Sequence, residues 1–164
     1  MGTPSVVGVT GRSGAGKTTL LERLIPEMKR RGWRVGAIKH THHAPDYDPR
    51  GKDSSRLFES GAEVVALASA SELVVRSQVG SAATLEAIVS GHMGSMDLVL
   101  VEGYRGLPLP KIEVLASGET PSCHAAELVA VVAADPPPTD APCFRPDDVA
   151  HLAEFLEARF LAPR

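Results

Sequence analysis

The sequence predicts an α/β fold: a mixed, mostly parallel sheet flanked by helices in three layers. Three observations carry this. The apolar, β-branched run Ser5-Val6-Val7-Gly8-Val9-Thr10 has the character of a strand buried on both faces. A glycine-rich loop follows it, and then Leu20, Leu21, Leu24 and Ile25 recur at the spacing of one helical face. Later apolar runs at 97–101, 111–115 and 128–133 read as further buried strands that complete the sheet.

Taken in order, the first helix is expected over 17–31, with Gly32 as its C-terminal glycine and Pro26 bending it or splitting its last turns. Residues 33–39 read as a second strand. The polar, turn-rich segment 40–52 reads as a loop. Asp53 is placed to cap a short helix that stops at Gly61. Residues 64–68 and 73–76 are close enough to form a hairpin, which makes the predicted sheet mixed. A helix over 84–90 closes at Gly91. Asp135-Pro136-Pro137-Pro138 ends the last strand, and Asp147 caps a C-terminal helix with Val149, Leu152, Phe155, Leu156 and Phe160 along one face. No repeat or second core is evident in the 164 residues, so one domain over 1–164 is expected.

The loop after the first strand, Gly11-Arg12-Ser13-Gly14-Ala15-Gly16-Lys17-Thr18, fits G-x-x-x-x-G-K-[ST] at every fixed position. Glycines let such a loop curl until successive N–H groups face a phosphate, and the following helix adds its positive end. Lys17 would supply charge to the β- and γ-phosphates, and the Thr18 hydroxyl would ligate Mg²⁺. The predicted fold is therefore P-loop NTPase-like. A metal also needs carboxylates at the carboxyl ends of neighbouring strands. Glu102, after the strand at 97–101, is one candidate; Asp46 and Asp48, in the 40–52 loop, are the others, with Asp48 the choice for an outer-sphere Mg²⁺ contact. Gly103 would let backbone approach a terminal phosphate. Lys39, Lys52 and Lys111 would add positive charge, and Asp135 could accept from the N1–H and N2–H₂ edge of guanine. An [NT]-K-x-D tetrad for reading that base is missing. His40, His42 and His43 read as phosphate or substrate contacts from the loop in preference to a metal site within one chain, because no nearby cysteine completes a tetrahedral set; a site shared between two chains is the alternative.

A net charge of −3 argues against general nucleic-acid binding. Cys123 and Cys143 form neither a disulfide framework nor a C-x-x-C site, and read as unpaired thiols of a reducing compartment. With no signal-like N-terminus and no apolar run of membrane-spanning length, a cytoplasmic protein is expected.

Five segments together resemble the molybdopterin-guanine dinucleotide biosynthesis protein B (MobB) family. They are residues 11–19, Ile38-Lys39-His40-Thr41-His42-His43, and Gly51-Lys52-Asp53-Ser54 with Gly61-Ala62. The other two are Asp97-Leu98-Val99-Leu100-Val101-Glu102-Gly103-Tyr104 and Pro110-Lys111-Ile112-Glu113-Val114. The resemblance implies a homodimeric GTP-binding protein with weak GTPase activity. It implies assistance to the guanylyltransferase that joins GMP to molybdopterin in the molybdenum cofactor. It further implies that Gly11, Ser13, Gly14, Ala15, Gly16, Lys17, Thr18 and Thr19 bind phosphate, with the histidine loop, from Lys39 and His40 onward, facing an approaching pterin or partner. Two other classes share the same N-terminal features. A small-molecule kinase would recruit Arg50, Arg56 or Arg105 to a lid, and a metal-delivery NTPase would use His40, His42 and His43.

Overall fold

A computed structural model describes residues 3–41, 53–78 and 84–161. In chain order the first elements are β1 (Ser5–Thr10), α1 (Lys17–Arg30), β2 (Val35–Lys39), α2 (Asp53–Glu59), β3 (Val64–Ala68) and β4 (Leu73–Ser77). They are followed by α3 (Leu85–His92), β5 (Leu98–Glu102), β6 (Lys111–Val114), β7 (Leu128–Val132), β8 (Cys143–Phe144) and α4 (Val149–Phe160). The chain divides into two compact units, one of Met1–His40 with Ile88–Arg164 and one of Thr41–Ala87.

The larger unit holds a six-stranded sheet in the order β2-β5-β1-β6-β7-β8, and every pairing in it is parallel. Leu98, Val99, Leu100 and Val101 of β5 are fully buried, the mark of a strand covered on both faces. On one face, Val7, Val9, Leu98, Leu100 and Ile112 meet Leu20, Leu24 and Met28 of α1 and Leu152 and Leu156 of α4. Burial of each such side chain contributes about 1.5–3 kcal/mol relative to exposure. On the other face, Gly36 lies where a Cβ would come 2.7 Å from Met93 Sδ. β1 lies between β5 and β6, so the chain leaves it toward β2 on one side while β6 and β7 build the other. Such a reversal opens a crevice at the carboxyl ends of the strands.

α1 runs unbroken through Pro26 rather than splitting there. The proline removes one N–H, but Pro26 and Glu22 are both exposed, so the freed carbonyl faces water while Leu24 and Met28 hold the buried face. Gly32 ends the helix as expected. Its N–H donates to the Lys29 carbonyl and that of Trp33 to the Met28 carbonyl, the paired bonds of a Schellman turn. The C-terminal helix is entered through Asp148 rather than Asp147; the Asp148 carboxylate lies 2.6 Å from His151 Nδ1 and caps no backbone N–H. β8, two residues long, carries too little pattern to have been read from the sequence.

In the smaller unit β3 and β4 pair antiparallel as a separate two-stranded sheet. The expected mixture of parallel and antiparallel pairing is thus divided between two sheets. The hairpin is closed by Ser69, whose hydroxyl accepts from the Ser71 and Glu72 N–H groups. Asp53 is the first residue of α2 and pairs with Arg56 at 3.6 Å, and Gly61, at φ +106°, follows that helix. Thr84 caps α3 by accepting from the Ala87 N–H, and Gly91 lies inside that helix rather than ending it.

Candidate functional site

The glycine loop spans the turn from β1 to α1 at the carboxyl edge of the sheet. Gly11 sits at φ +137° with its Cα against β6, so that a Cβ there would lie 2.2 Å from the Val114 carbonyl oxygen. No other residue type fits. Gly16, also left-handed, precedes α1 with no side-chain cap, which leaves the first amides of the helix open to an anion. Ser13, Thr18 and Thr19 are exposed along the loop and first turn, and Ala15 packs partly on the core. Lys17 Nζ donates to the Arg12 carbonyl of its own loop at 2.6 Å.

The pairing register builds the acidic side of the site. Glu102 stands beside Val9 on one side and Lys39 on the other, because β5 lies between β1 and β2. Its carboxylate accepts the Thr18 hydroxyl at 3.0 Å and lies 3.5 Å from Lys39 Nζ. Thr18, Lys39 and Glu102 are therefore brought together. His40 follows directly, with its N–H on the Glu102 carbonyl and its ring 4.2 Å from that of Tyr104. Gly103 is tight against it: a Cβ would be 3.0 Å from His40 Cβ. Asp46, Asp48, Arg50, Lys52, His42 and His43 lie outside the described residues. Among the described residues no group of three or more His, Cys, Asp or Glu side chains could hold a metal ion.

Beyond Glu102 the chain makes contacts the sequence did not announce. Arg105 donates from its guanidinium to the Gly11 carbonyl. Lys111 does not add charge to an open cup: it is 3% exposed, and its Nζ donates to Glu127 at 2.5 Å and to the Arg105 carbonyl at 2.8 Å. Arg12 turns outward to Glu119 at 3.1 Å, and Glu119 also accepts the Ala116 N–H. Asp135, after β7, accepts the Ser117 hydroxyl at 3.0 Å at the same carboxyl end of the sheet.

Glu113, 2% exposed, accepts from the Ser122 hydroxyl, the Ser122 N–H and the Cys123 N–H. Burial alone would raise its pKa, but these bonds to the ionised form prevail and hold it below the ordinary carboxylate value. The neighbouring Cys123 thiol is pushed up to about 11, first by its own burial and then by the Glu113 charge. Both cysteines are free. The signal for Glu113 in the sequence is that β6 alternates charged Lys111 and Glu113 with apolar Ile112 and Val114, within a strand that is buried throughout.

A glycine loop leading to an uncapped helix start, a lysine, and a hydroxyl beside a carboxylate can bind a polyphosphate with its counter-cation. The family model for molybdopterin guanine dinucleotide synthesis protein B matches residues 6–134. The chain is similar to the molybdopterin-guanine dinucleotide biosynthesis adapter protein of Haemophilus influenzae, at 37% identity over 155 residues that cover 93% of this chain and 87% of that protein. It is 35% identical to the adapter protein of Escherichia coli over 154 residues, covering 88% and 86%. A crystal structure of molybdopterin-guanine biosynthesis protein B superposes with a TM-score of 0.75 at 28% identity, covering 93% of this chain and 97% of that one.

Proposed function

Because the chain belongs to the molybdopterin guanine dinucleotide synthesis protein B family, we propose that it is a GTP-binding adapter in molybdenum cofactor assembly. In this reading it assists the guanylyltransferase that attaches GMP to molybdopterin. The observation that carries the reading is the Thr18–Glu102 contact set at the mouth of the glycine loop, next to Lys17. The loop amides and Lys17 take the phosphate oxygens.

The donor set suits Mg²⁺, a hard cation that prefers oxygen ligands and keeps several waters. The Thr18 hydroxyl would bind the ion directly, and Glu102 would hold its water shell. The ion's chemistry there is neutralisation of phosphate charge. Asp135, oriented by Ser117, would accept hydrogen bonds from the guanine edge. Slow hydrolysis at best is in keeping with a Glu102 carboxylate engaged by Thr18 and Lys39.

Self-association is part of the same proposal. Val64, Leu73 and Val75 are 60%, 64% and 48% exposed on one face of the β3–β4 hairpin, where Ala66 and Ala68 join them. A second copy would cover this strip.

Calorimetric titration with GTP, ATP and GDP in the presence of Mg²⁺ tests the nucleotide reading. The parent is expected to bind GTP in preference to ATP, and Lys17→Ala to lose most of that affinity. Equal binding of GTP by Lys17→Ala and the parent would end the reading; equal binding of ATP and GTP would end its guanine part.

A further inference from the structure

The turn after β5 brings a second cation to the glycine loop, one that the G-x-x-x-x-G-K-[ST] pattern does not contain. Gly103 at φ +104° and Tyr104 at φ +51° are consecutive left-handed residues, which turns the chain sharply back toward β1. The backbone of the next residue is then pinned from below. Buried Lys111, itself held by Glu127, donates to the Arg105 carbonyl at 2.8 Å. The Arg105 side chain, by contrast, is exposed. Its guanidinium donates to the Gly11 carbonyl, and among the described residues that is the one hydrogen bond its fork of five N–H groups makes.

Lys17 is in a matching position. Its Nζ rests on the Arg12 carbonyl, so two cations occupy consecutive carbonyls of the same loop. Both are held by neutral acceptors. A phosphate oxygen carries formal charge, so a bond from either cation to it adds a charge–charge attraction that a neutral carbonyl does not offer. An anion entering the cup therefore competes for both heads. Lys17 serves the β- and γ-phosphates in this motif. Arg105 arrives beside it, from the strand end that also supplies Glu102, and so on the side of the terminal phosphate.

We propose that Arg105 is a triphosphate-sensing residue, whose guanidinium leaves the Gly11 carbonyl for the terminal phosphate of the bound nucleotide. The anchored backbone keeps the head within reach, and the exposed side chain lets it change partners without refolding. The proposal rests on the nucleotide-binding reading above. It adds that the site distinguishes triphosphate from diphosphate through a side chain outside the loop motif.

The test is calorimetry with a non-hydrolysable GTP analogue and with GDP, each with Mg²⁺, on the parent, Arg105→Ala and Arg105→Lys. Arg105→Ala is expected to weaken the triphosphate analogue by about tenfold to a hundredfold, the worth of a hydrogen bond to a charged group. Its affinity for GDP should stay within about twofold. Arg105→Lys should recover part of the loss, because it restores the charge without the planar fork. Equal loss for both nucleotides would make Arg105 a clamp on the loop backbone and overturn the proposal, as would no loss for either. A parent that binds neither nucleotide would instead remove the nucleotide reading itself, which separates the two failures.

Discussion

Substituting alanine for glycine at three places on the larger unit should give three different costs. At Gly11 the new Cβ would sit 2.2 Å from the Val114 carbonyl oxygen, so the gap must widen by about 1.2 Å to reach ordinary contact at 3.4 Å. The obstacle is backbone of β6, paired with β1 up to Thr10 and Glu113. Opening it forfeits ladder hydrogen bonds worth about 0.5–1.5 kcal/mol each, and displaces the carbonyl that Arg105 holds. The left-handed backbone at φ +137° adds about 1–2 kcal/mol for any residue with a Cβ. Together these predict a loss of about 3–5 kcal/mol for Gly11→Ala. Gly14, at φ +79°, has nothing within 4 Å of its built Cβ, so Gly14→Ala should cost only the conformational part, about 1–2 kcal/mol. Gly36→Ala meets the Met93 sulfur at 2.7 Å, but that is the end of a flexible side chain, and the loss should be about 1 kcal/mol or less. Guanidinium denaturation followed by Trp33 fluorescence reports on this unit, because Trp33 is the single tryptophan and donates to Glu157 at 2.6 Å within it. Stabilities of Gly11→Ala and Gly14→Ala within about 1 kcal/mol of each other would refute the steric reasoning.

Two further outcomes follow from other parts of the molecule. Glu113→Gln keeps one acceptor but turns an NH₂ group toward the Ser122 and Cys123 donors, so a loss of about 2–4 kcal/mol is expected at pH 7. Since the folded carboxyl lies below its unfolded value of about 4.3, the parent's advantage should be full above that pH and should close as pH falls through the lowered folded value. Denaturation curves at pH 7 and in acid check it, and a gap that widens on acidification would contradict the assigned cause. On the hairpin, Leu73→Lys or Val75→Glu should shift sedimentation from dimer toward monomer with stability within about 0.5 kcal/mol of the parent, since both side chains are exposed. A dimer untouched by either substitution would remove this strip as the contact between copies.

What was legible in the sequence was local. The glycine loop, its strand and its helix lie within residues 5–30, and every signal needed to place them is within a few residues of the feature it marks. The same holds for Gly32 and Gly61, which end helices by bonds to carbonyls four or five positions back at most. The helix starts were less secure. An N-cap is a matter of one residue, and Asp147 and Asp148 are chemically alike, so only the observed backbone distinguishes them. The hairpin was found, but a strand pattern does not say which sheet its edge will join.

The site itself shows where that limit comes from. Glu102 and Lys39 were both candidates on chemical grounds, yet they are 63 residues apart in sequence, and either could have been bland surface. They become neighbours because β5 inserts between β1 and β2, which sets Lys39, Glu102 and Val9 level at the carboxyl edge. Strand order is a property of the whole sheet, decided by which apolar faces α1 and α4 can cover, and no window of sequence contains it. Arg105 and Gly11 are joined by the same fact on the other side, where β6 lies against β1 and Lys111 holds the turn in place. The motif therefore specifies the chemistry of the loop, and the order of the strands selects which distant charges that loop will meet.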